Sequence, residues 1–473
     1  MNIHLLHRDL RLNDNTSLIT QLKECKSTTI IFIFTPEQIN KKNNEYYNSN
    51  SVQFMIESLH ELSNEIKKKN GKLYFFYGDT IDVLNSINKD ININSISYNI
   101  DYSSYSKYRD NLIEKWANKN NIKIIAQEDY LLYNILEGLT KKEDGVYYKV
   151  YTAFKNNCMK KLKVREIDKF NKFKFIKYKL LLDNKYYINE KDIDNFYNYN
   201  EFLAIRGGRS NALKILKNID KWNDYNNNKD FFNYKTTHLS SHNHYTTISI
   251  RELYWTIIEK LGDNNQLINE LHWRDFFTNI CHFNPQMTQH QIINKHNETF
   301  KEKFNNIKWN NNIILFNKWE TGNIGVPLID ACMRELIKTG YMNGRGRMLV
   351  SSFITKNILY KWYEAEKIFA KHLVDYSIMM NIGNWNWQIG GIDPKQYLRI
   401  FNPYIQSKKF DKDALYIKKW IPELNNVNSK DIHNWEEKAA EYIENGCKYI
   451  APQILYKKSK QENMKELLRI NKI

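Results

Sequence analysis

Over the first 130 residues, short apolar runs alternate with longer stretches of helical spacing. "IHLLHRD", "TIIFIFT", "KLYFFYG", "ISYNI" and "IKIIAQE" read as strands. Between the second and third, "SVQFMIESLHELSNEIKKKNGK" carries Met55, Leu59, Leu62 and Ile66 on one helical face and ends at Gly71 as a C-cap signal. Strand and helix in alternation predict an α/β domain over 1–130, built on a doubly wound parallel sheet. It has no G-x-G-x-x-G, so the dinucleotide fingerprint is absent. From 131 to 200 the pattern gives way to Tyr-, Lys- and Asn-rich sequence such as "FNKFKFIKYKLLLDNKYYINEKDIDNFYNYN", expected to be a long linker over the surface, partly ordered by its aromatics. After "FLAIRGGRSNALKILKNI" amphipathic stretches recur, among them "SIRELYWTIIEKL", "PLIDACMRELIKTG" and "NMKELLRINKI". Residues 201–473 are therefore expected to form an all-α domain, and no repeat period divides them.

Composition narrows this picture. The 473 residues are 42% hydrophobic and 26% charged, a globular balance. No apolar run approaches the length that spans a bilayer. "MNIHLLHRDLRLNDN" turns charged at Arg8 and Asp9, so it reads as a strand start and not as a signal peptide. A soluble, intracellular protein with no membrane partner is the expectation; "KKK" at 67–69 is too short to read as nuclear import, which leaves cytoplasm and nucleus open. The five cysteines lie far apart without a C-x-x-C pair, which argues against a disulfide framework and a zinc site. The net charge of +17 suits a polyanionic partner, nucleic acid first. Enrichment in Lys, Asn and Ile also follows from an AT-rich host or viral genome, so charge alone leaves both readings open.

Four stretches can carry chemistry. "TTHLSSHNHYTTIS" (236–249) gathers hydroxyls and amides before a helix, a setting that binds phosphate or simply caps the helix. His242 and His244 in it read as surface residues and not as metal ligands. "ELHWRDFF" places Glu270, Trp273 and Arg274 within one helical turn; Glu270 and Arg274 could pair at i, i+4, or the aromatic and carboxylate could stack on a base and bond its edge. "GYMNGRGRMLVSSF" sets Arg345 and Arg347 among glycines, either near phosphates or as a solvated turn. "NIGNWNWQIGG" places Trp385 and Trp387 two residues apart, so in a helix their rings point about 200° apart, to different neighbours. No Ser-His-Asp order, paired acids or metal-ligand spacing stands out.

Taken in order, these stretches resemble the photolyase/cryptochrome family, from "HRDLRLNDN" to "YIAPQILYKKSKQENMKEL", with "TGNIGVPLIDACMREL", "GYMNGRGRM" and "NIGNWNWQIGGIDPKQYLRIFNP" the most specific segments. The resemblance implies an antenna-type domain and a helical domain holding a folded FAD, acting under blue light on pyrimidine dimers in UV-damaged DNA. A monomer is expected. It assigns Tyr225, Thr236, Thr237, Leu239, Ser240 and Arg274 to the FAD phosphates. Arg347 and Asp375 match an ion pair beside the isoalloxazine, Ser377 a weaker flavin contact, and Asn381 the residue facing flavin N5. Trp385, Trp362 and Trp309 match an electron-transfer chain running outward from the flavin. Glu270, Trp273, Asn343, Gly344, Arg345, Met348 and Trp387 match the lesion and DNA contacts.

The pattern points to cyclobutane dimers, since Gly344 and Met348 stand where the (6-4) enzymes carry histidines. Its departures are equally specific. Gly344 replaces a lesion-contacting Asn, Ser377 replaces an Asp, and a serine near Ser106 replaces an acid that helps hold a folate antenna. The antenna chromophore is thus open between folate, deazaflavin, a flavin or none. A signalling cryptochrome, and a photolyase of single-strand, (6-4) or dual specificity, are the alternatives.

Overall fold

The computed structural model describes residues 1–134, 145–289, 298–393 and 397–472. Strands β1 (Asn2–Leu6), β2 (Thr29–Phe34), β3 (Leu73–Tyr77), β4 (Ser95–Asn99) and β5 (Lys123–Gln127) are the five apolar runs read from the sequence, and they pair in parallel. A sixth, β6 (Tyr187–Ile188), comes from the connecting segment and adds antiparallel to β3, giving the order β5-β4-β1-β2-β3-β6. All six residues of β2 are buried because helices cover both sheet faces. Ile30, Phe32 and Phe34 meet Leu59 and Leu62 on one side, while Ile31 and Ile33 meet Ile87 and Ile113 on the other. The covering helices start on side-chain caps: Asn15 for Thr16–Cys25, Asn48 for Ser49–Lys68, Asp79 for Thr80–Asp90 and Ser103 for Ser104–Lys119.

The segment after 145 carries a helix, Tyr151–Lys161, whose Phe154 and Cys158 enter the core of the helical domain. Four helices of that domain position the site: Gln266–Phe283, Gly344–Ser352, Trp362–His372 and Ile378–Gln388. The first and last pack closely at Gly383, where a Cβ would come within 2.4 Å of the Phe277 ring. The two domains are clamped by a buried network. Arg11 pairs with Asp129 (2.6 Å), and Arg251 pairs with both Asp14 and Asp129 (2.7 Å each). The "RLND" stretch near the N-terminus is thus a domain junction.

Candidate functional site

A cavity of about 450 Å³ opens in the helical domain. Its floor and walls come from segments far apart in sequence. Thr236, Thr237, Leu239, Ser240 and Tyr225 line one end, Arg274 and Glu270 descend from the Gln266–Phe283 helix, and Arg347, Met348, Gly344 and Arg345 come from the Gly344–Ser352 helix. Asp375, Ser377, Asn381, Trp385 and Trp387 close the other side. Nearly all the residues singled out from the sequence therefore border one space.

Arg347 donates to both oxygens of Asp375, at 3.1 and 3.0 Å. Burial alone would raise the Asp375 carboxyl, but the Arg347 guanidinium and the Ser240 hydroxyl hold it below the usual carboxylate range. The cavity thus contains a fixed cation–anion pair. Asn381 donates its Nδ2 to Glu366 Oε1 at 2.7 Å, which leaves Oδ1 as the acceptor it can offer a ligand. Glu366, fully buried, also accepts from the Tyr376 hydroxyl at 3.0 Å. Sequence reading missed it, because an acid in "WYEAEKIF" looks like a solvent-facing helix residue; only the helix packed across it reveals its burial.

Arg274 does not pair with Glu270. It donates to Asn243 O and lays its guanidinium 3.5 Å from the Tyr130 ring centre, with Arg8 at 3.5 Å from the same ring centre. Glu270 instead accepts from Lys229 Nζ at 2.8 Å and Gln266 Nε2 at 3.0 Å. Lys229, Asp230 and Arg345, the latter two themselves ion-paired, complete a charged rim. Met348 and half-buried Trp387 supply apolar surface beside them.

Four predicted residues stand elsewhere. Trp273 lies outside the lining, its face covered by Tyr151 at 3.6 Å between ring centres. Asn343 caps the Gly344–Ser352 helix, accepting from Arg345 N (2.8 Å) and donating to Lys229 O (3.2 Å). Trp362 and Trp309 lie behind the cavity: Trp385 and Trp362 are buried in one core, and half-buried Trp309 packs against it. A backbone bond from Asn310 N to Leu359 O (2.7 Å) ties the Trp309 loop to the start of the Trp362 helix.

The histidine reading needs correction. His242 is buried, bonded to Thr247 at 2.8 Å and packed on Phe54, and His244 borders the cavity. They are interior because "TTHLSSHNHY" folds back against the α/β domain. His238 borders the cavity too, stacked on Tyr341. Burial lowers His238 to about 4 and His244 to about 3, with Lys235 and Arg8 adding to the effect, so both are neutral at pH 7. Among the described residues no His/Cys/Asp/Glu cluster could hold a metal.

A second, larger cavity of about 790 Å³ lies between the domains. It sits at the carboxyl ends of β1, β2 and β4, the crevice where a doubly wound sheet reverses its strand order. His7, Arg8, Thr35, Tyr105, Ser106 and Arg109 line it, and His244, Tyr376 and Ser377 border both cavities.

The first cavity is built for a polar ligand. Buried Arg274 Nη1, Asn243 Oδ1 and Gln388 Oε1 all border it with no protein partner, an unfavourable state that a bound molecule relieves. The sequence profile of the FAD-binding domain of DNA photolyase matches residues 267–469, and that of DNA photolyase matches 2–172. A deoxyribodipyrimidine photo-lyase of Buchnera aphidicola (subspecies Baizongia pistaciae) is 35% identical over 457 residues, covering 92% of this chain and 91% of its own. An archaeal photolyase from Sulfolobus tokodaii, crystallised with two FAD molecules, superposes with a TM-score of 0.86 at 33% identity, over 99% of this chain and all of its own. A Synechocystis cryptochrome shares the fold, with a TM-score of 0.84 at 24% identity over 98% of each chain. No helix of the described residues is long and apolar enough to cross a membrane. The buried arginine, the Arg347–Asp375 pair and the unpartnered amides suit FAD, and the chain belongs to the DNA photolyase family.

Proposed function

We propose that this protein is a light-driven repair enzyme that splits cyclobutane pyrimidine dimers in DNA. The observation that carries the reading is the single cavity, with the Arg347–Asp375 pair and Asn381 deep inside and Glu270, Met348 and Trp387 at its rim. Bound, reduced FAD supplies the light-excited electron donor. The residues supply everything else. Arg274 and the Thr236–Ser240 turn hold phosphate, and Asn381 offers its carbonyl oxygen without bringing a charge to the flavin ring. Glu270 bonds the edge of a flipped-out base while Met348 and Trp387 cover its apolar side, so the weakened stacking of a dimer lowers a flipping cost of a few kcal/mol.

The rim favours cyclobutane dimers because their repair needs no proton donor from the protein. The imidazoles at the cavity, His238 and His244, are held neutral and so do not serve as acids at neutral pH. Gly344 leaves open space, with nothing within 4 Å of a Cβ placed there. Trp385, Trp362 and Trp309 form the route by which electrons reach FAD from the surface. The 790 Å³ cavity is the place for a second chromophore, and the archaeal relative's second FAD makes a flavin the first molecule to test.

Glu270→Ala tests the lesion assignment. The variant is expected to lose about tenfold in preference for a dimer-containing oligonucleotide over an undamaged one, the worth of one charge-assisted hydrogen bond. Full retention of discrimination would remove Glu270 from the lesion site.

A further inference from the structure

The segment "KFNKFKFIKYK" (169–179) takes no part in either cavity. It crosses the amino ends of the strands. Thr28 N donates to Lys174 O (3.1 Å), Ile176 N donates to Thr28 O (2.9 Å), and Tyr178 N donates to Tyr74 Oη (2.8 Å). Phe170, Phe173 and Phe175 dock on the core below. Lys169, Lys172, Lys174, Lys177 and Lys179 all point into solvent, and Lys69 reaches the same place, its Nζ 5.0 Å from the centre of the Phe173 ring.

The ridge lysines make no close ion pairs, whereas Lys23 pairs with Asp168 (2.7 Å), Lys67 with Glu190 (2.7 Å) and Lys123 with Glu24 (2.6 Å). Among the described residues none of the six ridge lysines has a carboxylate within 4.0 Å, and 169–179 contains no acid at all. Rings and backbone hydrogen bonds dock the segment, and its lysine head groups stand in solvent. An AT-rich genome supplies asparagine as readily as lysine, yet Asn171 is the one neutral polar residue on the ridge.

We propose that this lysine ridge binds the phosphate backbone of duplex DNA, as a second contact surface across the sheet from the cavities. The proposal rests on the repair reading above for its choice of DNA. The six residues of β2 separate ridge and interdomain cavity by about 20 Å. The ridge therefore engages DNA away from the lesion, irrespective of sequence or damage, and keeps the enzyme on the duplex while it searches.

The test uses the full-length holoenzyme, a variant with Lys169, Lys172, Lys174, Lys177 and Lys179 all changed to Gln, and a second variant with all five changed to Arg. Binding of a long undamaged duplex is followed by fluorescence anisotropy across a salt series, with flavin absorbance and thermal melting as checks on folding. The Gln variant is expected to bind about tenfold more weakly at low salt. Its log–log salt slope should be shallower by about 0.9 for each phosphate the ridge no longer neutralises, and the Arg variant should keep both values. Repair of a dimer in a short oligonucleotide should be equal in all three proteins. Wild-type affinity and slope in the Gln variant would overturn the ridge, as would a ridge that binds anionic phospholipid vesicles but contributes nothing on DNA. If the wild type repaired no dimer, the repair reading would fail while the undamaged-duplex measurement still judged the ridge.

Discussion

Burial pushes the Glu366 carboxyl up to about 7, and the hydrogen bonds from Asn381 and Tyr376 lower it only in part. Its folded pKa lies above its unfolded value, so its contribution to stability is fully present below about 4.5. That contribution is lost as pH rises through 7. Over that window the loss reaches about 3 kcal/mol at most. Glu366→Gln keeps the acceptor for Asn381 and removes the titration. Its melting temperature should therefore fall less than that of the wild type between pH 5 and pH 8; parallel curves for the two proteins would show that Glu366 is already ionised. Trp362→Phe separates two roles. Photoreduction of oxidised flavin should slow by an order of magnitude or more, measured by absorbance under blue light, while repair by chemically reduced enzyme stays within about twofold. Loss of both would mean that Trp362 shapes the cavity and does not merely conduct. These residues differ in how legible they were. Arg347 and Asp375 stand 28 positions apart, and only a known family pattern pairs them before a structure does. Glu366 carried no signal, because its burial depends on a neighbouring helix.

Among the elements, the five parallel strands were legible because each is a short apolar run between capped helices. Burial on both faces made the run of β2 continuous. β6 is two residues long, too short for any period, and owes its place to Phe75 and Phe76 offering an open edge. The Tyr151–Lys161 helix was hidden in a stretch whose tyrosines and lysines resemble a surface linker. Asn343 shows a subtler limit. The resemblance placed it among lesion contacts, yet at this position it satisfies the first turn of the Gly344–Ser352 helix, and Gly344 is what the cavity meets. Trp273 is likewise held in a stack by Tyr151, a partner from a distant segment that sequence spacing does not reveal.

At the scale of the whole molecule, the domains are joined where Arg251 pairs with Asp14 and shares Asp129 with Arg11. All four side chains are nearly inaccessible. The pull of both arginines outweighs burial and holds Asp129 far below the usual carboxylate range. Arg251→Met leaves two buried carboxylates undercompensated and should destabilise the protein by about 3–5 kcal/mol, read as a lower denaturant midpoint. A midpoint unchanged from the wild type would show that the network is dispensable. The junction also sets the two cavities side by side, sharing His244, Tyr376 and Ser377, so a molecule held between the domains would lie next to one held in the helical domain.

Repair itself decides whether the cavity works as an enzyme. Protein with reduced FAD is given one duplex with a cyclobutane thymine dimer and one with a (6-4) product, in blue light and in darkness, and restored bases are counted. Light-dependent repair of the cyclobutane dimer alone is the predicted result. Repair of neither lesion by protein whose flavin still photoreduces would contradict the enzyme reading and make the molecule a photoreceptor.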